Sequence, residues 1–451
     1  IHDPISTVVS GLKNWVQDAF SALHVRVRRS SVFSLSHNMS SRLTLTARIV
    51  GTGMTTLTKR SNLSATELMQ EALQYALSSA NISLSDIDGL IAVPSLSHPH
   101  FLEAHHFATK VGLLPKKDVV VRTLDTGGAG PITALLEAQR MVTQEDCQAV
   151  AIVAGDAVGT MDSSSFLDRA DAGCRPSHVT SGPQFLPSPV IPHGYSRCTE
   201  YQINKYGCTR EQLAMVSVLM SFQASQHPSA LTNTPHTLES VLTAPEIAPS
   251  VGLLECARRA DGGAAIIVCS SRFLAERNLT TRGNGGTGDV VILGGGEASG
   301  PLYPPVVIDE TMFSCESAAR NAYTKCQLEP EDIDWFGLYD CFPICFVRAV
   351  EAVGLAEKGK GGVWVEEQYN RMMADPASFQ MPVNSHGGLL SFGAPWEVPA
   401  TYNVIEAVKQ LRRTATEGGR QVEGARRALV YGNGGIFSAS AVAVLGRAVD
   451  E

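Results

Sequence analysis

The chain has 451 residues, 44% of them hydrophobic and 18% charged, with a formal net charge of −8. That length exceeds one small domain and can bury large cores, and the composition is that of a folded globular protein. Net acidity without a dense basic stripe argues against nucleic acid as a partner, and no run of eighteen apolar residues reads as a membrane span.

Residues 1–45 differ from the rest. No Asp or Glu occurs between Ala19 and Thr66, while Arg26, Arg28, Arg29 and Arg42 alternate with Ser30, Ser31, Ser34, Ser36, Ser40 and Ser41. Arg- and Ser-rich, acid-poor sequence predicts a mitochondrial presequence. A cytoplasmic protein follows instead if translation starts near Met39.

The core opens with a strand from Ala47 into Gly53. Ser64-Ala65-Thr66-Glu67 has capping-box spacing. Leu68/Met69, Ala72/Leu73 and Ala76/Leu77 then make one helical apolar face, and Leu84 to Ala92 reads as a turn and a buried strand. Val119 to Arg122 is a strand. It leads into the glycine turn Gly127 to Gly130, a helix starting near Pro131 and the buried strand Ala149 to Ala154. Gly159 to Ser250 is rich in Ser, Pro and His, and too long for a plain connection. We expect a subdomain over the site, with its clearest helix opening at Thr209. The chain then returns to the first half through Asp261-Gly262-Gly263 and a buried strand ending at Cys269.

The plan then repeats. Val306 to Ile308 reads as a strand, and Ala318/Ala319, Ala322/Tyr323 and Cys326 as a helix face. Asp332-Ile333-Asp334 matches Asp86-Ile87-Asp88, which sets Tyr339 opposite Val93 and marks an internal duplication. Ala428 to Tyr431, Gly432 to Gly435 and Ala439 to Leu445 read as strand, turn, strand. Apolar strands alternating with helices predict an α/β protein with parallel-type sheets covered on both faces. The expected divisions are a leader (1–45), a first half (46–158 and 251–284), a loop domain (159–250) and a second half (285–451).

The chemistry concentrates at Tyr339-Asp340-Cys341-Phe342, between a short strand and the apolar helix Ile344 to Val353. Polar side chains at strand-to-helix turns are where α/β folds build sites. The turns Gly127 to Gly130, Asn384 to Gly388 and Gly432 to Gly435 are expected to meet there. His386 is the only imidazole in these four loops. The ten cysteines show no CxxC pair and no metal-ligand spacing, so buried free thiols and no metal are expected.

Tyr206 to Ala214, Asp261 to Ala265, Tyr339 to Phe342, Asn384 to Pro395 and Gly432 to Gly435 together resemble the thiolase superfamily, from about residue 46 to the end. The chain is most similar to the sterol-carrier-protein type, whose fingerprint is His-Asp-Cys-Phe. The resemblance implies a duplicated thiolase fold with an α-β-α-β-α core and an inserted loop domain. It also implies a homodimer, a coenzyme A thioester as ligand and no permanently bound cofactor. The family's nucleophilic cysteine falls on Gly128. Its Gly-His-Pro histidine falls on Ala394, its late cysteine on Gly432 and its fingerprint histidine on Tyr339.

Covalent acyl transfer needs an activated nucleophile with a base beside it, and no such pair stands at those positions. The backbone N–H groups of Gly128 and Gly434 can still form an oxyanion hole for a thioester oxygen. Enolate stabilisation serves decarboxylation of a malonyl thioester or retro-aldol cleavage of a β-hydroxyacyl thioester. Tyr339 would donate or shuttle a proton, with Cys341 and His386 as further acid/base candidates. Two alternatives are a catalytically silent acyl-CoA-binding or scaffold protein and an acyltransferase using Cys341.

Overall fold

The computed structural model describes residues 45–144, 146–279 and 290–448. The expected presequence falls outside them. The first half runs β1 (Ala47–Met54), α1 (Ala65–Ala80), β2 (Gly89–Ala92), α2 (Glu103–Lys110), β3 (Val120–Thr123), α3 (Gly130–Thr143) and β4 (Ala149–Ala157). Four helices follow: α4 (Ser163–Cys174), α5 (Val190–Tyr206), α6 (Arg210–Ser225) and α7 (Leu238–Leu242). The small strands β5 (Glu246–Ala248) and β6 (Val251–Gly252) lead to β7 (Asp261–Ser270) and α8 (Ser271–Glu276). The second half runs β8 (Val290–Ser299), α9 (Cys315–Cys326), β9 (Trp335–Gly337), α10 (Pro343–Ala352), α11 (Gly361–Ala374), α12 (Pro399–Arg412), β10 (Arg427–Gly434) and β11 (Ala439–Arg447).

Nine strands join in the order β3-β2-β4-β7-β1-β8-β11-β10-β9. The halves meet at a narrow seam, where Arg48 and Ile49 pair with Val291 and Val290. On either side the order is the same, because β1, β2, β4 and β7 correspond to β8, β9, β10 and β11. The counterpart of β3 is Pro382–Asn384, which bonds along β9 through Phe336. Helix α1 packs on β1, β4 and β7, and α9 packs on β8 and β11. Helices α3 and α12 touch strands of both halves and so form the middle of an α-β-α-β-α arrangement. This is the duplicated thiolase fold.

The repeat extends to single hydrogen bonds. Asp88 accepts from the amides of Gln148 and Ala149 at the start of β4 (2.8–3.0 Å). Asp334 accepts from the amides of Arg426 and Arg427 at the start of β10 (2.8 and 2.9 Å). In each half the second aspartate of Asp-Ile-Asp clamps the neighbouring parallel strand. The Ser64–Glu67 capping box is present, and the predicted apolar face of α1 is buried. Added Cβ atoms on Gly51 and Gly53 would lie 2.2 and 2.1 Å from the Ala76 and Ala72 carbonyls, so bare backbone lets α1 lie against β1.

Two expectations need correction. Val306 to Ile308 is not a strand. Val306 and Val307 are exposed on a bend after Pro304 and Pro305, which have no N–H for a ladder, and the strand of this repeat is β8. Gly432 to Gly434 is not a turn. It continues β10, with Gly432 opposite Ala441, and the chain reverses only after it.

A buried ionic network ties α5 to the second half. The fully buried Arg348 of α10 bonds Glu310 (2.8 Å), Glu316 (2.5 Å) and Glu351 (3.3 Å) and stacks on Phe313. Glu310 also accepts from Tyr201 and Tyr206 of α5. Lys358 and Lys205 complete the charge balance from the rim.

Candidate functional site

The loop between β9 and α10 is held from below by two buried side chains. Asn384 brackets Leu338, accepting from its amide (2.7 Å) and donating to its carbonyl (2.8 Å). Asp340 accepts from the amides of Leu389 (2.7 Å) and Leu390 (3.3 Å). Burial pushes the Asp340 carboxyl up to about 7, against the pull of those two donors. Gly388 has φ 58°, and a Cβ there would lie 2.2 Å from Asp340 Oδ2, so both backbone and space demand glycine. Asp340 therefore orients the loop.

Tyr339 lies over Gly128. A Cβ on Gly128 would stand 2.0 Å from Tyr339 Oη, 2.4 Å from Cζ and 2.5 Å from the Asn433 carbonyl oxygen. The first glycine turn and the glycine end of β10 also pack backbone to backbone. A Cβ on Gly434 would stand 1.9 Å from the Thr126 carbonyl oxygen, and one on Gly127 would stand 2.9 Å from Gly434 Cα. Gly128 and Gly434 do not have positive φ, so these glycines are required by space. Tyr339 is buried. Burial first, then Cys341 and Glu397, hold its phenol well above the usual range, so it is a neutral donor. Gly128 also lies just before the N-terminus of α3, where the helix dipole favours negative charge.

Cys341 is half-buried beside Tyr339, with its Sγ 3.4 Å from Cys345 Sγ. Burial pushes the Cys345 thiol up, and the contact with Cys341 adds to it. The structure adds Tyr195 to the same cluster. Its hydroxyl donates to the Gly435 carbonyl (2.5 Å) and accepts from Asn433 Nδ2 (2.8 Å). Its ring packs on Phe342 at 4.6 Å. No local signal singled out Tyr195, because α5 reaches the site only through tertiary packing.

His386 belongs to a different cluster. Its ring meets Phe392 edge-on at 5.2 Å, and its Nδ1 has no hydrogen-bond partner among the described residues. Burial pushes it down to about 4, with Glu406 opposing and Arg420 and Lys409 assisting. Glu406 is in turn bonded by Ser385 (2.9 Å) and Arg420 (3.4 Å). None of the groups that shift His386 comes from the loop that carries Tyr339. His227 packs on Phe392 too and is pushed down to about 3, mainly by burial. The unfolded chain takes up both protons near pH 6.5, and the folded chain only near 4 and 3. Stability therefore rises with pH across that window and is lost on acidification. We expect unfolding free energy to fall by several kcal/mol, on the order of 3 per histidine, between pH 6.5 and 4. Urea titrations at stepped pH check this, and His386→Asn should flatten the slope.

Glu397 also escaped sequence reasoning. It follows Trp396, a non-glycine residue at φ 46° whose ring meets Phe166 edge-on at 5.8 Å. The Trp396 side chain hydrogen-bonds to Glu397, yet its Oε2 is sealed from solvent without a partner among the described residues. Burial, then Asp125 and Asp156, push this carboxyl well above the usual range. A polar cleft of about 480 Å³, lined by Ser61, Ser64, Ser97, His98, Thr160 and Arg169 among others, opens elsewhere, on the Asp156 side. Its lining includes none of Tyr339, Cys341, Gly128 and Gly434.

The site thus offers a neutral phenol, a second phenol, a pair of thiols and a raised carboxyl around the turn at Gly128 and the glycine end of β10. The family described as "Thiolase C-terminal domain-like" matches residues 307–447. The chain is 29% identical over 407 residues to the acetyl-CoA acetyltransferase of Methanothermobacter thermautotrophicus, covering 88% of this chain and 99% of that protein. It is 28% identical over 400 residues to sterol carrier protein 2 of Bos taurus, covering 86% and 69%. Among solved structures, the Ltp2-ChsH2(DUF35) aldolase superposes with a TM-score of 0.70 at 22% identity, over 89% of this chain and 98% of that one. With its duplicated fold, its second-half match and relatives that span nearly its whole core, the chain is similar to the thiolase superfamily and, within it, to the sterol-carrier-protein type.

Proposed function

We propose that the chain binds a coenzyme A thioester and stabilises its enolate without forming an acyl-enzyme. The observation that carries this is the Tyr339 phenol lying where a side chain at residue 128 would begin. A nucleophile cannot share that space, whereas the amide of Gly128 at the head of α3 can face a thioester oxygen, with that of Gly434 as its proposed partner. Tyr339, neutral at physiological pH, donates to the developing oxyanion or returns a proton to the enolate carbon. Retro-aldol cleavage of a β-hydroxyacyl thioester is the favoured reaction, because the site pairs this donor with a carboxyl, which decarboxylation does not need. The acetyltransferase and sterol-carrier relatives support a thioester ligand, and a structural relative is an aldolase. No permanently bound cofactor enters this scheme.

Turnover of a panel of β-hydroxyacyl- and malonyl-CoA thioesters, followed as released aldehyde, ketone or carbon dioxide, tests it. Tyr339→Phe should lower kcat by about 100-fold or more with binding nearly unchanged. Binding without any turnover by the wild-type chain would favour the silent carrier. A labelled acyl group trapped on Cys341 would favour the transferase.

A further inference from the structure

Glu397 has a hydrogen bond from the Trp396 side chain, but its Oε2 has no partner among the described residues. Asp340 holds the 389–390 backbone, and Asp156 accepts from the amides of Leu96, Ser97 and Ala157. Glu397 keeps one oxygen, Oε2, sealed without a hydrogen-bond partner among the described residues. Leaving a buried carboxyl oxygen unpaired is costly, and a substrate hydroxyl would relieve that cost. The groups facing it come from four elements. They are Asp125 of the first glycine turn, Asp156 of β4, Cys174 of α4 and Tyr339 of the β9–α10 loop. Arg259 is nearby, since its backbone pairs with Ala394 in the same loop as Glu397 and its guanidinium stacks on Phe166, the ring that meets Trp396.

We propose that Glu397 is the catalytic proton-transfer residue of this site, taking the β-hydroxyl proton of a hydroxyacyl thioester. The inference rests on the thioester-lyase reading above. The Glu397 carboxylate accepts the hydroxyl proton. The Cα–Cβ bond breaks, its electron pair passes to the thioester as the enolate, and the β-carbon becomes an aldehyde or ketone carbonyl. The enolate carbon then takes a proton back from the Glu397 acid, directly or through Tyr339, which restores the carboxylate. No oxidant or second substrate is needed. The neighbouring carboxyls Asp125 and Asp156 disfavour the ionised form, so activity should rise with pH as Glu397 loses its proton.

The test uses the full chain with a turned-over β-hydroxyacyl-CoA. Glu397→Gln keeps the shape and removes the base. It should lower kcat by about 100-fold or more, leave the calorimetric Kd within about threefold, and abolish the rising limb of the pH–rate profile. The carboxylic-acid carbonyl band that disappears on raising pH in infrared difference spectra should lose the contribution of one carboxyl in the variant, with that of Asp340 retained. Glu397→Asp, which keeps the acid, should retain the pH limb at reduced rate, and it replaces the glutamine variant if that one fails to fold. A glutamine variant with wild-type kcat and pH profile overturns the role of Glu397 while leaving the lyase reading intact. A wild-type chain that binds thioesters and cleaves none overturns both.

Discussion

Gly128→Ala should lower unfolding free energy by about 3 kcal/mol and abolish turnover, although it adds only a methyl group. The added Cβ would lie 2.0 Å from Tyr339 Oη and 2.5 Å from the Asn433 carbonyl, far inside contact distance. Overpacking of a filled core costs about 1–3 kcal/mol and more where backbone must move, and Asn433 is strand backbone in β10. Gly128→Cys should fare no better and should show no thiolysis, because the space for a nucleophile is already occupied. Tyr339→Ala in the Gly128→Ala background should recover part of the loss, since it removes Oη and Cζ but not the Asn433 contact. A double-mutant cycle read by urea denaturation should give a coupling of about 1–3 kcal/mol. If Gly128→Ala melts like the wild type, Tyr339 does not lie on Gly128 and the function proposed above loses its support.

Arg348→Met should be comparably damaging, by about 3–5 kcal/mol. The guanidinium is fully buried among Glu310, Glu316 and Glu351, so removing it leaves the buried Glu351 without a cation and Glu310 and Glu316 with only the rim lysines. Glu310 is held well below the usual carboxylate range by Lys358, Tyr206 and Arg348, in spite of its partial burial. The same glutamate anchors α5 through Tyr201 and Tyr206, and α5 carries Tyr195 into the site. Loss of Arg348 should therefore loosen the catalytic side as well as lower the melting temperature. Replacing Arg348 and Glu351 together by apolar residues of similar volume should cost less than Arg348→Met alone. If the single variant unfolds at the wild-type urea concentration, this network is not a keystone.

Much of the fold was legible because it is written in local rules. The face of α1 follows 3.6-residue periodicity, and its capping box fixes where the helix starts. The duplicated Asp-Ile-Asp repeats because each half needs the same clamp on its next parallel strand. The strand missed at Val290–Ser299 hides behind three glycines. They are tolerated there because α9 backbone comes close: a Cβ on Gly296 would lie 2.3 Å from the Ala318 carbonyl. Glycine reads as a turn in sequence, but here and at Gly432 it marks close backbone packing within a sheet.

By itself the sequence determined the two-half α/β plan and the loop from Tyr339 to Phe342 between a short strand and an apolar helix. Those features depend on residue identity and short-range spacing. Only the tertiary structure decided which side chains gather at that loop. It stacks the Tyr339 phenol on Gly128, brings Tyr195 in from α5 and turns Glu397 inward. It also assigns His386 to the Glu406–Arg420 cluster. Packing between distant segments sets such partnerships, and a side chain's direction into one cavity or another leaves no periodic trace along the chain.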